Sequence, residues 1–186
     1  MLFNSHSNLQ GQHSFLSASK ASWLRYDEEK LERSWSSAQA ARRGDELHEF
    51  AAMAIRLGQP LPNEPKTLNM YVNDSILLGL APEQPLVYSA NAFGTADAIG
   101  FFDPVLRVHD LKTGRSPVHM DQLLVYAAYF CLEYMHRPED LTMELRIYQG
   151  NGIKVHQPNH TEIRPIMDKI VHFDKLITQW RMEEAA

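Results

Sequence analysis

The stretch "GTADAIGFFDPVLRVHDLKTG", residues 94–114, decides how the fold is interpreted. Residues 93–102 and 105–111 are rich in apolar, aromatic and β-branched side chains, which is typical of strands. The pair Asp103-Pro104 between them is a turn signal, so the sequence predicts a β-hairpin. Two aspartates lie within these largely apolar runs and a lysine follows the second one: Asp97, Asp110 and Lys112.

Two sets of side chains are expected on one side of this hairpin if its turn holds an even number of residues, because side chains alternate across a strand. The sets are Asp97, Ile99 and Phe101 on the first strand, and Leu106, Val108, Asp110 and Lys112 on the second. Two registers stay open: Phe101 lies opposite Leu106 or, after a shift of one pair, opposite Val108. In both registers Asp97 lies beside Asp110 or diagonally from it, within roughly 5–8 Å. An odd turn would separate the two carboxylates.

The two carboxylates need a compensating positive charge. Like charges that face each other across strands repel, and burying either one alone costs several kcal/mol. Lys112 supplies one positive charge, and a divalent cation would supply the rest. Oxygen ligands favour a hard cation, so the sequence predicts Mg²⁺ or Mn²⁺ at the far end of the hairpin. The alternative is an exposed hairpin end with ordinary solvated charges.

Length and composition exclude several classes of protein. The chain has 186 residues, of which 44% are hydrophobic, so we expect a polar, flexible tail over residues 1–14 and one domain over 15–186. A formal net charge of −5 excludes an overall basic surface, so any phosphate must be bound locally. Cys131 is the single cysteine, which excludes an internal disulfide framework and a cysteine-only metal site. With no signal peptide and no membrane-spanning run, we expect a soluble, cytoplasmic protein.

The remaining elements are expected from periodicity and from cap and turn signals. The predicted helices are a short stretch after Ser17 or Ser19 that carries Trp23 and Leu24, a helix from Ser36 or Ser37 to Gly58, one over 67–80, one over 119–136, and a closing helix capped by Thr161. The predicted strands outside the hairpin are "LVYSA" after a break at "APEQP", and residues 141–148 and 153–156 around the turn "QGNG". This order predicts an α+β fold, a central mixed sheet flanked by helices.

The motifs occur in an order that resembles the PD-(D/E)xK nuclease superfamily, in particular its RecB-like exonuclease branch. Asp97 is followed by Asp110-Leu111-Lys112 and then by a helix with Gln122 and Tyr126, which matches D…DxK and Q-x-x-x-Y. Upstream, the segment from Gly44 to Glu49 matches a G-x-x-x-H-E pattern. The segments "LSASKASWL" and "TGRSPVHMDQLLVYAAYF" are also similar to these domains, so the resemblance covers roughly residues 17–129.

The resemblance implies a restriction-endonuclease-like fold and a role for each matching residue. It implies that the metal ligands are His48, Asp97, Asp110 and the backbone carbonyl of Leu111. Lys112 would orient or deprotonate the attacking water and balance charge on the phosphate. Gln122 and Tyr126, one helical turn apart, would contact the nucleic-acid strand. Two features depart from the pattern: Ala96 stands where the motif has proline, and Cys131 alone cannot hold the iron–sulfur cluster that some members carry.

Several further residues have a functional and a plainer interpretation. Arg115, together with Arg42 and Arg43, would hold phosphates, although surface arginines are most often solvated. Glu49 lies about 100° around the helix from His48, so it is assigned to the surroundings of the metal and not to its ligands. The alternative for His48 is a packed helix residue, and for Tyr126 and Tyr129 it is a place in the core. We expect His109 to point away from Asp110.

The sequence thus predicts a Mg²⁺- or Mn²⁺-dependent deoxyribonuclease, an exonuclease for recombination, repair or phage DNA processing in a bacterial or phage-infected cell. DNA is the expected partner, a homo-oligomer or a recombination protein is a further one, and neither a nucleotide cofactor nor a membrane is expected. One alternative is a nucleic-acid-binding or assembly subunit that has the fold but does not cleave. Others are an endonuclease of the same superfamily and a metal-dependent hydrolase of small phosphoesters.

Overall fold

The computed structural model describes residues 14–184. The chain divides into two compact units, Met1–Arg43 and Gly44–Ala186. The predicted flexible tail over residues 1–14 lies outside the described residues except for Ser14. The expectation of one domain over 15–186 stays a prediction. No helix within residues 14–184 has both the length and the apolar character required to cross a bilayer.

The first unit contains a 3-10 helix, Ala18–Arg25, and the beginning of helix α1, Glu28–Arg56. The 3-10 helix accounts for the predicted short helical stretch. The predicted start of the next helix at Ser36 or Ser37 is wrong, because the Asp27 carboxylate accepts the Lys30 N–H at 2.8 Å and caps the helix earlier.

The second unit is built on a five-stranded mixed sheet whose strands lie in sequence order. The strands are β1 Ala81–Ser89, β2 Ala92–Phe102, β3 Val105–Leu111, β4 Thr142–Gln149 and β5 Gly152–His156. All neighbours are antiparallel except β3 and β4, which are parallel and are connected through helix α3, Asp121–Glu133. Helices α2, Thr67–Leu77, and α4, His160–Glu184, complete the unit. The predicted α+β class with a mixed sheet flanked by helices is confirmed.

Two apolar clusters hold helices to the sheet. The larger cluster joins the strands to α3 and α4, with Val108, Leu123 and Ile163 completely buried. The smaller cluster joins the end of α1 and helix α2 to Leu111 and Tyr148. Because Leu111 and Val108 contribute to different clusters, β3 is covered on both sides, which explains why five of its seven residues are buried.

The predicted hairpin is present with a two-residue turn. Phe101 pairs with Leu106 and Ile99 with Val108, which is the first of the two registers left open by the sequence. The even turn therefore keeps the apolar residues of both strands together in the larger cluster. The second predicted hairpin, β4 to β5, turns at Gly150 and Asn151, which both have positive φ, as a type I′ turn requires.

Three predicted boundaries were wrong. The segment "APEQP" does not break the chain but begins β1, and its prolines are tolerated because β1 is an edge strand. Helix α2 ends at Leu77 instead of Leu80, since Gly79 adopts a left-handed conformation with φ of 64°. Helix α4 begins at His160, and the Asn159 side chain, not that of Thr161, caps it by accepting the Thr161 N–H at 2.8 Å.

The contribution of the larger cluster can be measured with a pair of leucine truncations. Leu123 is completely buried, so Leu123→Ala should lower the free energy of unfolding by about 2–5 kcal/mol. Leu77 is 82% exposed, so Leu77→Ala should change it by less than about 0.5 kcal/mol. Urea unfolding measures both variants, and equal losses would contradict the packing of α3 on the sheet.

Candidate metal and catalytic site

A row of three carboxylates crosses three neighbouring strands. The register pairs on either side of Glu83 and Asp97 are Pro82 with Ala98 and Gln84 with Ala96. Glu83 on β1 is therefore opposite Asp97 on β2. The pairing of β2 with β3 ends at Ala98 with His109, and one further step places Asp97 opposite Asp110. The sequence analysis predicted the second of these pairs but not the first.

His48 on α1 lies next to two of these carboxylates. Its Nδ1 atom lies 3.3 Å from Asp97 Oδ2. Potential ligand atoms of His48, Glu83 and Asp97 all lie within 4.8 Å of one another, which is a spacing suited to a shared cation. Gly44, one helical turn earlier, is buried, and a Cβ there would lie 2.9 Å from Thr113 Oγ1. A glycine at this point thus lets α1 come close to the segment after β3.

A chain of hydrogen bonds leads from the third carboxylate to α3. Lys112 Nζ donates to Asp110 Oδ1 and to Gln122 Oε1, both at 2.9 Å. Gln122 Nε2 donates in turn to the Tyr126 hydroxyl at 3.1 Å. The structure therefore brings together four residues that the sequence analysis selected, and Asp110, opposite Asp97, lies between this chain of hydrogen bonds and the group around His48.

The electrostatics of the row favour an additional positive charge. Burial, followed by the charge of Asp110, raises the pKa of Asp97 to about 6, although the Leu111 N–H donates to its Oδ2 atom at 2.9 Å. Burial also raises the pKa of Asp110, against the effect of its hydrogen bond to Lys112. Asp110 Oδ2 is buried and accepts no hydrogen bond from residues 14–184. A cation would favour the ionised form of both groups.

Glu83 is the residue that the sequence analysis missed. It sits in "APEQP", which was interpreted as a break, so no strand was available to place it opposite Asp97. Its backbone adopts a left-handed conformation with φ of 51°, which is uncommon for a residue with a long side chain. An acidic residue between two prolines was the available signal, but its meaning depends on the strand register.

A second missed residue is Tyr71 on α2, which lies in the helix predicted over residues 67–80 and was given no role in the site. Its side chain is buried, and burial raises its pKa far above the ordinary range. The nearby carboxylates Asp97, Glu83 and Asp110 raise this pKa further. Tyr71 therefore stays protonated and remains a hydrogen-bond donor beside a group of acceptors.

The other selected residues occupy different surroundings. Arg115 is exposed and lines, with Lys112, a depression of about 270 Å³. Leu111 has its side chain in the smaller cluster and its N–H on Asp97, and a metal contact of its carbonyl stays a prediction. Glu49 is exposed on α1. Arg42 and Arg43 belong to the first unit.

His109 lies away from Asp110, as predicted. It is buried, and its Nδ1 atom is 3.3 Å from the hydroxyl of Tyr148, which belongs to the smaller cluster. Burial, together with the charges of Arg146 and Arg107, lowers its pKa to about 3. His109 is therefore neutral in the folded protein near neutral pH and has a packing role.

Comparisons of this chain with models of protein families, with curated proteins and with solved structures found no match. The resemblance to PD-(D/E)xK nucleases and the restriction-endonuclease-like form of the fold therefore stay predictions. The geometry of the carboxylates, His48 and Lys112 is independent of that resemblance.

The raised pKa of Asp97 predicts how stability depends on pH without metal. The folded protein keeps the Asp97 proton up to about pH 6, whereas the unfolded chain releases it near pH 4. The folded state binds more protons in this window, so Asp97 makes stability fall as pH rises through it. In EDTA, Asp97→Asn should gain about 1–3 kcal/mol relative to the parent between pH 4 and pH 7.

Urea unfolding at a series of pH values measures this difference. Asp45→Asn, at an exposed carboxylate on α1, is the matched control and should follow the parent curve. A curve for Asp97→Asn that stays parallel to the parent would contradict the raised pKa.

Proposed function

We propose that this protein is a metal-dependent deoxyribonuclease of the PD-(D/E)xK superfamily, with a restriction-endonuclease-like fold. The observation that carries the proposal is the position of Lys112, between the buried Asp110 and Gln122, at the end of a row of carboxylates. A lysine and carboxylates clustered on neighbouring strands provide what hydrolysis of a phosphodiester requires: a cation site and a separate positive group.

The residues present fit a divalent cation. His48, Glu83 and Asp97 would hold it, with Asp110 as a further ligand through its unpaired Oδ2 atom. Carboxylate oxygens with one imidazole nitrogen suit Mn²⁺, and the oxygens alone suit Mg²⁺. When bound, such an ion lowers the pKa of a coordinated water and stabilises the negative charge on the phosphate.

Lys112 acts on the attacking water and on the phosphate. Its side chain is 32% exposed, so Nζ faces both the buried Asp110 and the solvent from which substrate arrives. The hydrogen bonds to Asp110 and Gln122 fix its position and leave one of three ammonium protons for the water or a phosphate oxygen. An ammonium held in place in this way stabilises charge without reorganising during the reaction.

Gln122 and Tyr126 position the substrate. Gln122 is exposed, and its amide is held between Lys112 and the Tyr126 hydroxyl. Tyr126 is almost completely buried in the larger cluster, so the helix fixes its hydroxyl. The position of α3 therefore determines where Gln122 holds the Lys112 ammonium. Exonucleolytic action in recombination, repair or phage DNA processing is the form of the activity that the resemblance implies.

Removal of the Lys112 ammonium should abolish most of the activity. Lys112→Ala should slow DNA cleavage by at least about 100-fold, because it loses a positioned charge at the phosphate. The assay uses end-labelled DNA, linear or closed circular and single- or double-stranded, with Mg²⁺, Mn²⁺ or EDTA. Loss of linear DNA alone indicates an exonuclease.

Lys66→Ala is the control for this assay, since the Lys66 side chain is 68% exposed and pairs with Glu64 on the loop before α2. It should cleave at the parent rate. Undiminished cleavage by Lys112→Ala or Asp110→Asn would show that the site is assigned wrongly. If the parent leaves every DNA intact with both metals, the chain is a binding or assembly subunit instead.

The role of Glu83 is tested by metal binding alone. Glu83→Gln removes the charge of one proposed ligand and keeps the length of its side chain, so the Mn²⁺ dissociation constant should rise at least about tenfold. Isothermal titration calorimetry measures it without DNA. Glu64→Gln, on the loop before α2, should bind Mn²⁺ like the parent, and an equal affinity for Glu83→Gln would exclude Glu83 as a ligand.

A further inference from the structure

A groove with aromatic walls lies next to the hydrogen-bonded chain described above. It has a volume of about 310 Å³ and runs between the beginning of β2 and helix α3. Phe93 lines one side, and Tyr126 and Tyr129 line the other. The fold does not need Phe93 in this position for packing, since 63% of it is exposed.

Gly94 keeps the groove open and its rings close to the sheet. A Cβ at this position would lie 3.0 Å from Tyr126 Cε1 and 3.8 Å from Tyr129 Cε2. A side chain there would therefore press on the ring of Tyr126, whose hydroxyl accepts the Gln122 hydrogen bond. The absence of a side chain leaves a slot with a flat, largely apolar lining.

The groove is continuous with the proposed catalytic chain. Gln122 lines the groove and also accepts the hydrogen bond from Lys112, which in turn contacts Asp110. Asp121 also lines the groove and already places a carboxylate in the first turn of α3, so the positive group next to the groove is Lys112, held by Gln122. A ligand in the groove therefore has an aromatic surface on one side and the Lys112 ammonium beyond Gln122 on the other, which suit the base and the phosphate of a nucleotide.

We infer that this groove binds an unpaired nucleobase beside the scissile phosphate, so that the substrate is a single-stranded end. The inference rests on the proposed function and names its substrate class. A base within a duplex has both faces covered by stacking, and only an unstacked base can lie against the Phe93 ring. An aromatic ring can stack on any base, so the groove selects unpaired nucleotides and does not select a base sequence.

The experiment compares two substitutions of exposed phenylalanines at opposite ends of β2. Phe93→Leu removes the ring from the groove and keeps its apolar bulk. Phe102→Leu is the matched control, because Phe102 is 53% exposed and does not line the groove. Both are introduced into the parent chain, where Lys112 and Gln122 stay in place, and binding of labelled DNA is measured by fluorescence anisotropy in EDTA, which prevents metal-dependent cleavage.

Phe93→Leu should weaken binding of a single strand by about 5- to 150-fold, which is the range for loss of one stacked base. It should leave binding of a blunt duplex unchanged, and Phe102→Leu should affect neither. A single strand with abasic positions near its end should bind the protein that keeps Phe93 more weakly than an intact strand does, by the same factor. For Phe93→Leu, the abasic and the intact strand should bind equally. Equal behaviour of the two leucine variants, tighter binding of the duplex, or no single-strand binding at all would overturn the inference.

Cleavage by the parent separates this result from the proposed function. If DNA is cleaved but Phe93→Leu matches Phe102→Leu, the nuclease stands and the groove is not a base site. If single-strand binding depends on Phe93 but no DNA is cleaved with either metal, the base site stands and the nuclease assignment is wrong.

Discussion

Repulsion among three carboxylates at one level of the sheet is the constraint on which the site depends. Glu83, Asp97 and Asp110 occupy neighbouring strands, where opposite side chains are about 4.5–5.5 Å apart. Burial raises the pKa of Asp97 and of Asp110, so both charges are costly without a partner. Lys112 offsets one charge, and the cluster stays negative when all three carboxylates are ionised. A cation at this site would reduce the repulsion among the carboxylates and would also be attracted by each of them.

The same constraint connects the sheet to α3. Lys112 neutralises Asp110, and its remaining hydrogen bond goes to Gln122, which is held by Tyr126. Tyr126 belongs to the larger apolar cluster, so the packing of α3 determines where the ammonium lies. The position of the Lys112 ammonium and the burial of the helix are thus linked through one short chain of side chains.

The hairpin shows how much of the fold follows from local signals. Alternating side chains and an even turn at Asp103-Pro104 were sufficient to predict that Asp97 lies beside Asp110 or diagonally from it, and the observed register places the two opposite each other. The caps of α1 and α4 were misplaced because several polar residues near each helix start compete for the role, and only the backbone path selects Asp27 and Asn159. The prolines before Leu86 were misinterpreted for a related reason: they are compatible with a strand only at an edge, and edge position is a property of the whole sheet.

The sequence by itself determined the α+β class and the hairpin, and for an even turn it placed Asp97, Asp110 and Lys112 on one side of that hairpin, because these depend on periodicity and on neighbours within one hairpin. The resemblance of the motifs added His48, Gln122 and Tyr126, and the structure selected one of the two open registers. Only the tertiary structure decided that Glu83 lies opposite Asp97, that Tyr71 lies beside the carboxylates, and that Phe93 forms a groove with α3. These relations join segments far apart in the chain. Their distances follow from strand order and helix packing, which no local pattern encodes.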